Sequence, residues 1–287
     1  MKFLYNYLYK RYCNKRYAYL ESVLHLKKET FDMEGHSIRY YRGKKEGKKL
    51  LFIHGLLDAA FGFRKLVPHL HPELQPILLD IPGFGLNPLP QIRYLYQLDI
   101  FADLIYTFCK RSGLKDIILV GHSMGGLIAQ HLALLDKEHI FSKLILLSSA
   151  NSMHPKRDEM RALLFPSTIL EVENLLKHLH YEDIPEPSLL EKKILLNAWN
   201  SKEYFYLAEN TIERESEIFF GEKSRAIQLP CLILSGEEDS ITEMDMQKKM
   251  QEYIQNSELK FIEKARHAIH IEKGETVAKE INRFLGF

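Results

Sequence analysis

Cysteine, tryptophan, net charge and long apolar runs are all scarce in this chain. Its 287 residues hold three cysteines, Cys13, Cys109 and Cys231, and a single tryptophan. The cysteines are odd in number, widely separated and without CxxC spacing, which argues against a disulfide framework and a zinc site. Cys109 falls in a helix-period stretch and Cys231 opens an apolar run, so both are expected as buried free thiols. The 39 basic residues nearly cancel the 38 acidic ones, leaving no global field to attract nucleic acid or a membrane. No run approaches 18 consecutive apolar residues, so no spanning helix is expected. Near the start, Asn6 and Lys10 interrupt the apolar residues before a secretory signal can form, which leads to a cytoplasmic expectation.

What is present is an ordinary globular composition, 46% hydrophobic and 27% charged, in a chain long enough for one large core or two modest ones. Residues 1–25 stand apart: rich in tyrosine, with Lys2, Lys10, Arg11, Lys15 and Arg16 and no acid before Glu21. Phe3, Leu4, Tyr7, Leu8 and Tyr12 follow helical spacing. Two expectations arise, a peripheral membrane contact through a basic amphipathic helix or an arm packed on protein.

From Leu26 onward the pattern alternates between strand and helix. Thr30–Met33 and Ser37–Tyr41 read as a hairpin around Glu34-Gly35-His36. Leu50–Ile53, Pro76–Leu79, Ile117–Val120 and Leu144–Leu147 read as buried strands, with helices over Phe61–Leu70 and Tyr94–Arg111. This alternation predicts a mostly parallel sheet with helices on both faces. It breaks at residues 152–226, a proline-punctuated, helix-period stretch with 10 basic and 14 acidic residues. It resumes with Cys231–Leu234, a helix around Glu243–Tyr253, Leu259–Ile262 and a terminal helix from Glu272. A helical insertion therefore splits one sheet domain, 26–151 with 227–287.

The pivot is Gly121-His122-Ser123-Met124-Gly125-Gly126. The pentapeptide Gly-x-Ser-x-Gly alone arises by chance in about one chain of this length in ten, so its setting decides. Here a β-prone run enters it and a helix-period run leaves it. Such a reversal strains the serine backbone and lets the flanking glycines bring strand and helix close. The Met124 N–H then opens a helix toward any negative charge beside Ser123. A serine needs a base, and the base an orienting acid. In sheets of this type both follow the serine in the chain. Ser235-Gly236-Glu237-Glu238-Asp239 follows one strand, and Arg266-His267-Ala268-Ile269-His270-Ile271-Glu272 follows the last.

His54-Gly55, Asp80-x-x-Gly-x-Gly, the elbow, Gly236-x-x-Asp239 and His267-x-x-His270-x-Glu272 together resemble the α/β-hydrolase fold family. Over about residues 30–286 the chain is most similar to its capped serine hydrolases, which include monoacylglycerol lipases and carboxylesterases. The resemblance implies an eight-stranded, mostly parallel sheet and a helical cap over 152–226. It implies Ser123 as nucleophile, His267 as base and Asp239 as its orienter. The backbone N–H groups of Leu56 and Met124 would form the oxyanion hole. His270 is the rival base, and Glu237 and Glu238 the rival acids. His54, Asp80 and His122 are expected as structural, and the pairs His69/His71 and His178/His180 as surface or core residues. No metal or organic cofactor is expected.

The implied reaction is carboxylic ester hydrolysis through an acyl-enzyme, on a neutral medium or long acyl ester such as a monoacylglycerol. The partners expected are thus a small-molecule ester, no nucleic acid, and a membrane surface if residues 1–25 bind one. Serine at the elbow argues against dehalogenases and epoxide hydrolases, which carry aspartate there. Carbon–carbon bond hydrolases and thioesterases share the serine and triad, and a silent binding module is a further alternative.

Overall fold

The computed structural model describes residues 2–33, 36–43, 46–181 and 187–287. Eight strands form one sheet: β1 (Lys27–Met33), β2 (His36–Arg42), β3 (Lys48–Ile53), β4 (Leu74–Leu79), β5 (Ile117–His122), β6 (Phe141–Leu147), β7 (Cys231–Gly236) and β8 (Ser257–Ile262). Their order is β1-β2-β4-β3-β5-β6-β7-β8. β1 and β2 pair antiparallel, as do β2 and β4, and every other neighbouring pair is parallel. The mostly parallel sheet expected from the alternation is therefore present. Glu34 and Gly35 of the expected hairpin turn lie outside the described residues, as does Pro185 of the insertion.

Eleven α-helices accompany the strands among the described residues. They are α1 (Lys2–Ser22), α2 (Leu98–Arg111), α3 (Met124–Leu135), α4 (Arg157–Leu164), α5 (Ile169–Leu179), α6 (Leu189–Trp199), α7 (Lys202–Glu213), α8 (Glu215–Ile218), α9 (Met244–Tyr253), α10 (Ile269–Glu272) and α11 (Gly274–Phe284). None is long and apolar enough to cross a membrane.

The central strands are apolar on consecutive residues because helices cover both sheet faces. Leu51, Ile53, Leu119, Leu144 and Leu146 point to one face, where Phe101 and Ile105 of α2 and Leu127 and Ile128 of α3 cover them. Leu50, Phe52, Ile118, Val120 and Ile145 point to the other, under Cys13, Tyr17 and Leu20 of α1 and Val277 and Ile281 of α11. The first helix is thus part of the second core. Its early turns leave Phe3, Leu4 and Tyr7 exposed. All three cysteines are free and buried.

Two expected helices differ. Phe61–Leu70 forms two 3₁₀ turns, Ala60–Lys65 and Val67–His69, because Pro68 lacks the N–H that a continuous α-helix would require. Tyr94–Arg111 is divided: a 3₁₀ turn at Arg93–Leu95 precedes α2, with Gln97 extended between them. Asn210 Nδ2 donates to Arg93 O and Tyr96 O, both at 2.8 Å. These long-range bonds satisfy carbonyls that a helix would have used, so tertiary contact overrides local periodicity.

Candidate active site

β4 lies on one side of β3 and β5 on the other. The crevice where a sheet's winding reverses is the usual ligand position in open α/β sheets. Ser123 leaves β5 there with φ 52° and ψ −117°, a left-handed conformation that costs a non-glycine residue about 1–3 kcal/mol. The surroundings enforce it. A Cβ on Gly121 would meet Gly125 O at 2.4 Å, and one on Gly125 would meet Ile53 O at 2.2 Å. Strand and helix pack at a distance that only glycine permits.

The crossover connections bring Asp239 and His267 to the same end. Asp239 follows β7 and His267 follows β8, both nearly fully buried. The His267 Nδ1–H donates to Asp239 Oδ2 at 3.0 Å, which leaves Nε2 to accept from the Ser123 hydroxyl at 2.9 Å. Asp239 also accepts from the backbone N–H groups of Ile241 and Thr242, each at 2.9 Å, and from Thr242 Oγ1 at 2.7 Å. Burial alone would raise this carboxyl. His267 and the Thr242 hydrogen bonds outweigh burial and hold it down, at about 2. The acid is thus charged and immobile.

The rival base is differently placed. His270 Nε2 lies 3.3 Å from Asp58 Oδ2. His122 lies between the two histidines, its ring centroid 5.0 Å from that of His267 and 4.1 Å from that of His270. Its Nε2–H donates to His267 O at 3.0 Å, so it supports the backbone of the histidine that reaches Ser123. Burial, with the two neighbouring histidines, pushes its basicity well below the ordinary range. The rival acids Glu237 and Glu238 are exposed.

His54 Nδ1–H donates to Gly55 O at 2.8 Å, and its Nε2 accepts from Ile81 N–H at 3.0 Å. The loop carrying Leu56 is therefore fixed from both sides. Among the described residues, the backbone N–H groups of Leu56 and Met124 have no acceptor within the protein. Asp80 accepts from Ala60 N–H at 2.9 Å and from the Tyr17 hydroxyl of α1 at 2.6 Å. His178 Nδ1 meets Ser240 Oγ at 2.7 Å, and His71 stacks on Phe287. No group of three or more His, Cys, Asp or Glu side chains among the described residues is arranged to hold a metal.

Sequence reasoning missed Thr242, Asp58 and the contribution of α1. Thr242 stands three residues after Asp239, a spacing at which a hydroxyl can bond back to the carboxylate. Tyr17 carries no local signal, since its partner is 63 residues away.

A cavity of about 720 Å³ opens on Ser123 and His267, and a second of about 190 Å³ shares Leu56, Ser123 and Leu164 with it. A strained serine, a histidine within hydrogen-bond reach and a buried carboxylate behind it are the elements of nucleophilic acyl-transfer sites. Residues 48–274 match the alpha/beta hydrolase fold family, and the chain belongs to it. It is 27% identical over 268 residues to an uncharacterised hydrolase of Bacillus subtilis strain 168, covering 89% of this chain and 96% of that protein. Its fold is similar to the crystal structure of a membrane phospholipase A, with a TM-score of 0.85, 21% identity, and 97% and 92% of the two chains covered. It is also similar to the carboxylesterase CesB of Bacillus subtilis, with a TM-score of 0.74, 18% identity, and 97% and 98% covered.

Proposed function

We propose that the protein is a serine hydrolase that cleaves carboxylic esters of medium or long acyl chains through an acyl-enzyme. The observation that carries this reading is the bridge of His267 between Ser123 Oγ at 2.9 Å and Asp239 Oδ2 at 3.0 Å. His267 Nε2 takes the hydroxyl proton as Ser123 attacks the ester carbonyl. The Leu56 and Met124 N–H groups receive the oxyanion, and losing either is expected to raise the barrier by about 2–4 kcal/mol. His267 returns its proton to the departing alkoxide, which leaves as the alcohol. Water then adds to the acyl-enzyme with the same base, releases the carboxylic acid and restores Ser123. Asp239 holds the ring in the tautomer that both half-reactions require.

The helical segment 152–226 acts as the cap in this reading. Leu175, Leu179 and Trp199 supply apolar wall to the larger cavity, and Met160, Phe165 and Leu207 to the smaller. An acyl chain is the chemistry such surfaces take from water. Exposed Phe3, Leu4 and Tyr7 beside exposed Lys10, Arg11 and Lys15 support a peripheral membrane contact through the first turns of α1. Replacing Phe3 and Leu4 with serine should release the protein from anionic liposomes in a sedimentation assay. Wild-type protein that stays in the supernatant would reject the contact.

The deciding test is hydrolysis of p-nitrophenyl esters from acetyl to palmitoyl by wild type and Ser123→Ala. A Ser123-dependent rate that peaks at medium or long chains is expected. A peak at acetyl would move the reading to small esters. No hydrolysis, with Ser123 still labelled by a phosphonate, would favour a carbon–carbon bond hydrolase or thioesterase. Neither hydrolysis nor labelling would overturn the enzyme reading.

A further inference from the structure

Ser123 stands at the junction of two cavities of opposite character. The 190 Å³ chamber is lined mainly by side chains such as Met124, Leu127, Met160, Leu207, Phe219 and Ile241. Its two arginines, Arg157 and Arg161, are exposed side chains, and Arg157 is paired with Glu215 at 3.2 Å. The 720 Å³ chamber carries charge on several walls.

All three described carboxylates of that larger chamber are engaged. Glu173 pairs with Lys192 at 2.7 Å, Asp58 with His270 at 3.3 Å, and Glu191 accepts from Ser188 at the start of α6 at 2.8 Å. Arg16, Arg64, Lys65, Lys177 and Arg266 also line it, and none has a carboxylate within ion-pair distance among the described residues. Among the described residues the chamber's cations thus outnumber its carboxylates, six to three, although residues 152–226 carry a net charge of −4. Exposed cap acids such as Asp158, Glu159 and Glu213 do not line it.

Among these cations, Arg16 is the one that α1 contributes. Its guanidinium carbon lies 3.3 Å from the centre of the Tyr12 ring, which holds the planar fork against an aromatic face. One residue on, Tyr17 fastens α1 to the body through Asp80. Burial, joined by the nearby Arg64, lowers the basicity of Arg16 even though Tyr12 opposes it. Glu191 acts on Arg16 only from beyond ion-pair distance, so a half-buried guanidinium beside a second one, with no ion pair among the described residues, gains from an anion that enters.

We infer that the physiological ester bears an anionic group, a phosphate or a carboxylate, on its alcohol side, and that Arg16 of the N-terminal helix, with Arg64, selects it. The acyl chain then occupies the apolar chamber on the other side of Ser123. This assignment rests on the ester-hydrolase reading and replaces its neutral alcohol with a charged one. It also makes the first helix a wall of the site.

The test compares three esters with one acyl chain: 1-decanoylglycerol, 1-decanoylglycerol 3-phosphate and 3-O-decanoylglycerate. For wild type, at least one anionic ester is expected to exceed the neutral one in kcat/KM by about tenfold or more, through KM, and to lose that advantage as salt rises. Arg16→Gln should bring the anionic-to-neutral ratio toward one, and Arg16→Lys should restore it in part. The preferred anion identifies phosphate or carboxylate as the group recognised. A neutral ester that matches both anionic ones, or a ratio that survives in both Arg16→Gln and Arg64→Gln, overturns the inference. A second measurement is independent of catalysis: titration of Ser123→Ala with decyl glycerol ether 3-phosphate and with the neutral decyl glycerol ether. Arg16-dependent preference for the phosphate upholds the chamber assignment even if no ester is hydrolysed, in which case the ester reading alone has failed. Equal binding of the two ethers overturns it.

Discussion

Two histidine–carboxylate pairs lie on either side of the His122 ring, three residues apart in the chain, and only one of them touches the serine. His267 meets Asp239 with one nitrogen and Ser123 with the other. His270 meets Asp58 with one nitrogen, while its Nδ1 is buried with no partner among the described residues. Their carboxylates differ as well. Asp239 is locked by Thr242 and two backbone N–H groups, whereas the Asp58 side chain is 18% exposed. The difference teaches that an imidazole–carboxylate pair acquires a chemical role only through what faces its second nitrogen. A serine hydroxyl there extends the pair into a hydrogen-bonded chain of three side chains, and its absence leaves a buried polar contact between two segments.

The largest effect that could break this comparison is on turnover. Asp239→Asn is expected to lower kcat by about 10⁴-fold, because the amide favours the wrong tautomer of His267. Asp58→Asn should stay within about tenfold of wild type, a barrier change near 1.4 kcal/mol at most. Comparable losses in the two variants would contradict the separate roles. Next in size is stability. With its partner altered, buried His270 keeps a weaker hydrogen bond, so Asp58→Asn should cost about 1–3 kcal/mol, read by urea unfolding. An unchanged midpoint would show that the second pair holds nothing.

The smallest effect is on acid resistance, and its sign follows from the direction of the shift. The Asp239 carboxyl is depressed from 3.8 to about 2 in the folded protein. Its contribution to stability is complete above the unfolded value and is lost as pH falls through the folded one. Unfolding free energy should therefore decline between about pH 4 and pH 2 in wild type and less steeply in Asp239→Asn. Parallel curves would mean that the carboxylate is not held in this way. Asp58 is shifted in the same direction: burial would raise it, and the hydrogen bond and charge of His270 outweigh burial.

What was legible in the sequence was local or periodic. The strand, strained serine and helix of residues 117–135 could be read because the glycine requirement at 121 and 125 is a steric matter within a few residues. The sheet could be read because burial on both faces imposes apolar runs, and the order Ser123, Asp239, His267 followed from the strands that each residue succeeds. The choice between His267 and His270 was open to the residues alone, since both share one loop, and family spacing favoured the one that meets Ser123. The helix expected over residues 94–111 failed for the opposite reason. Its periodicity was genuine, but Asn210 competes for its carbonyls from more than a hundred residues away.

The N-terminal helix marks the same boundary most clearly. Its helicity and its basic, aromatic character were determined by the amino-acid sequence alone, as were the alternating strands and the glycine-flanked turn at Ser123. Local sterics and hydrophobic period act over a few residues and leave their pattern in the chain. Only the tertiary structure decided that Tyr17 meets Asp80, that Arg16 lines the chamber beside Ser123, and that cations outnumber carboxylates among the described residues of that chamber. Those contacts join residues tens to hundreds of positions apart, and their partners are chosen by how the helices settle on the two faces of the sheet.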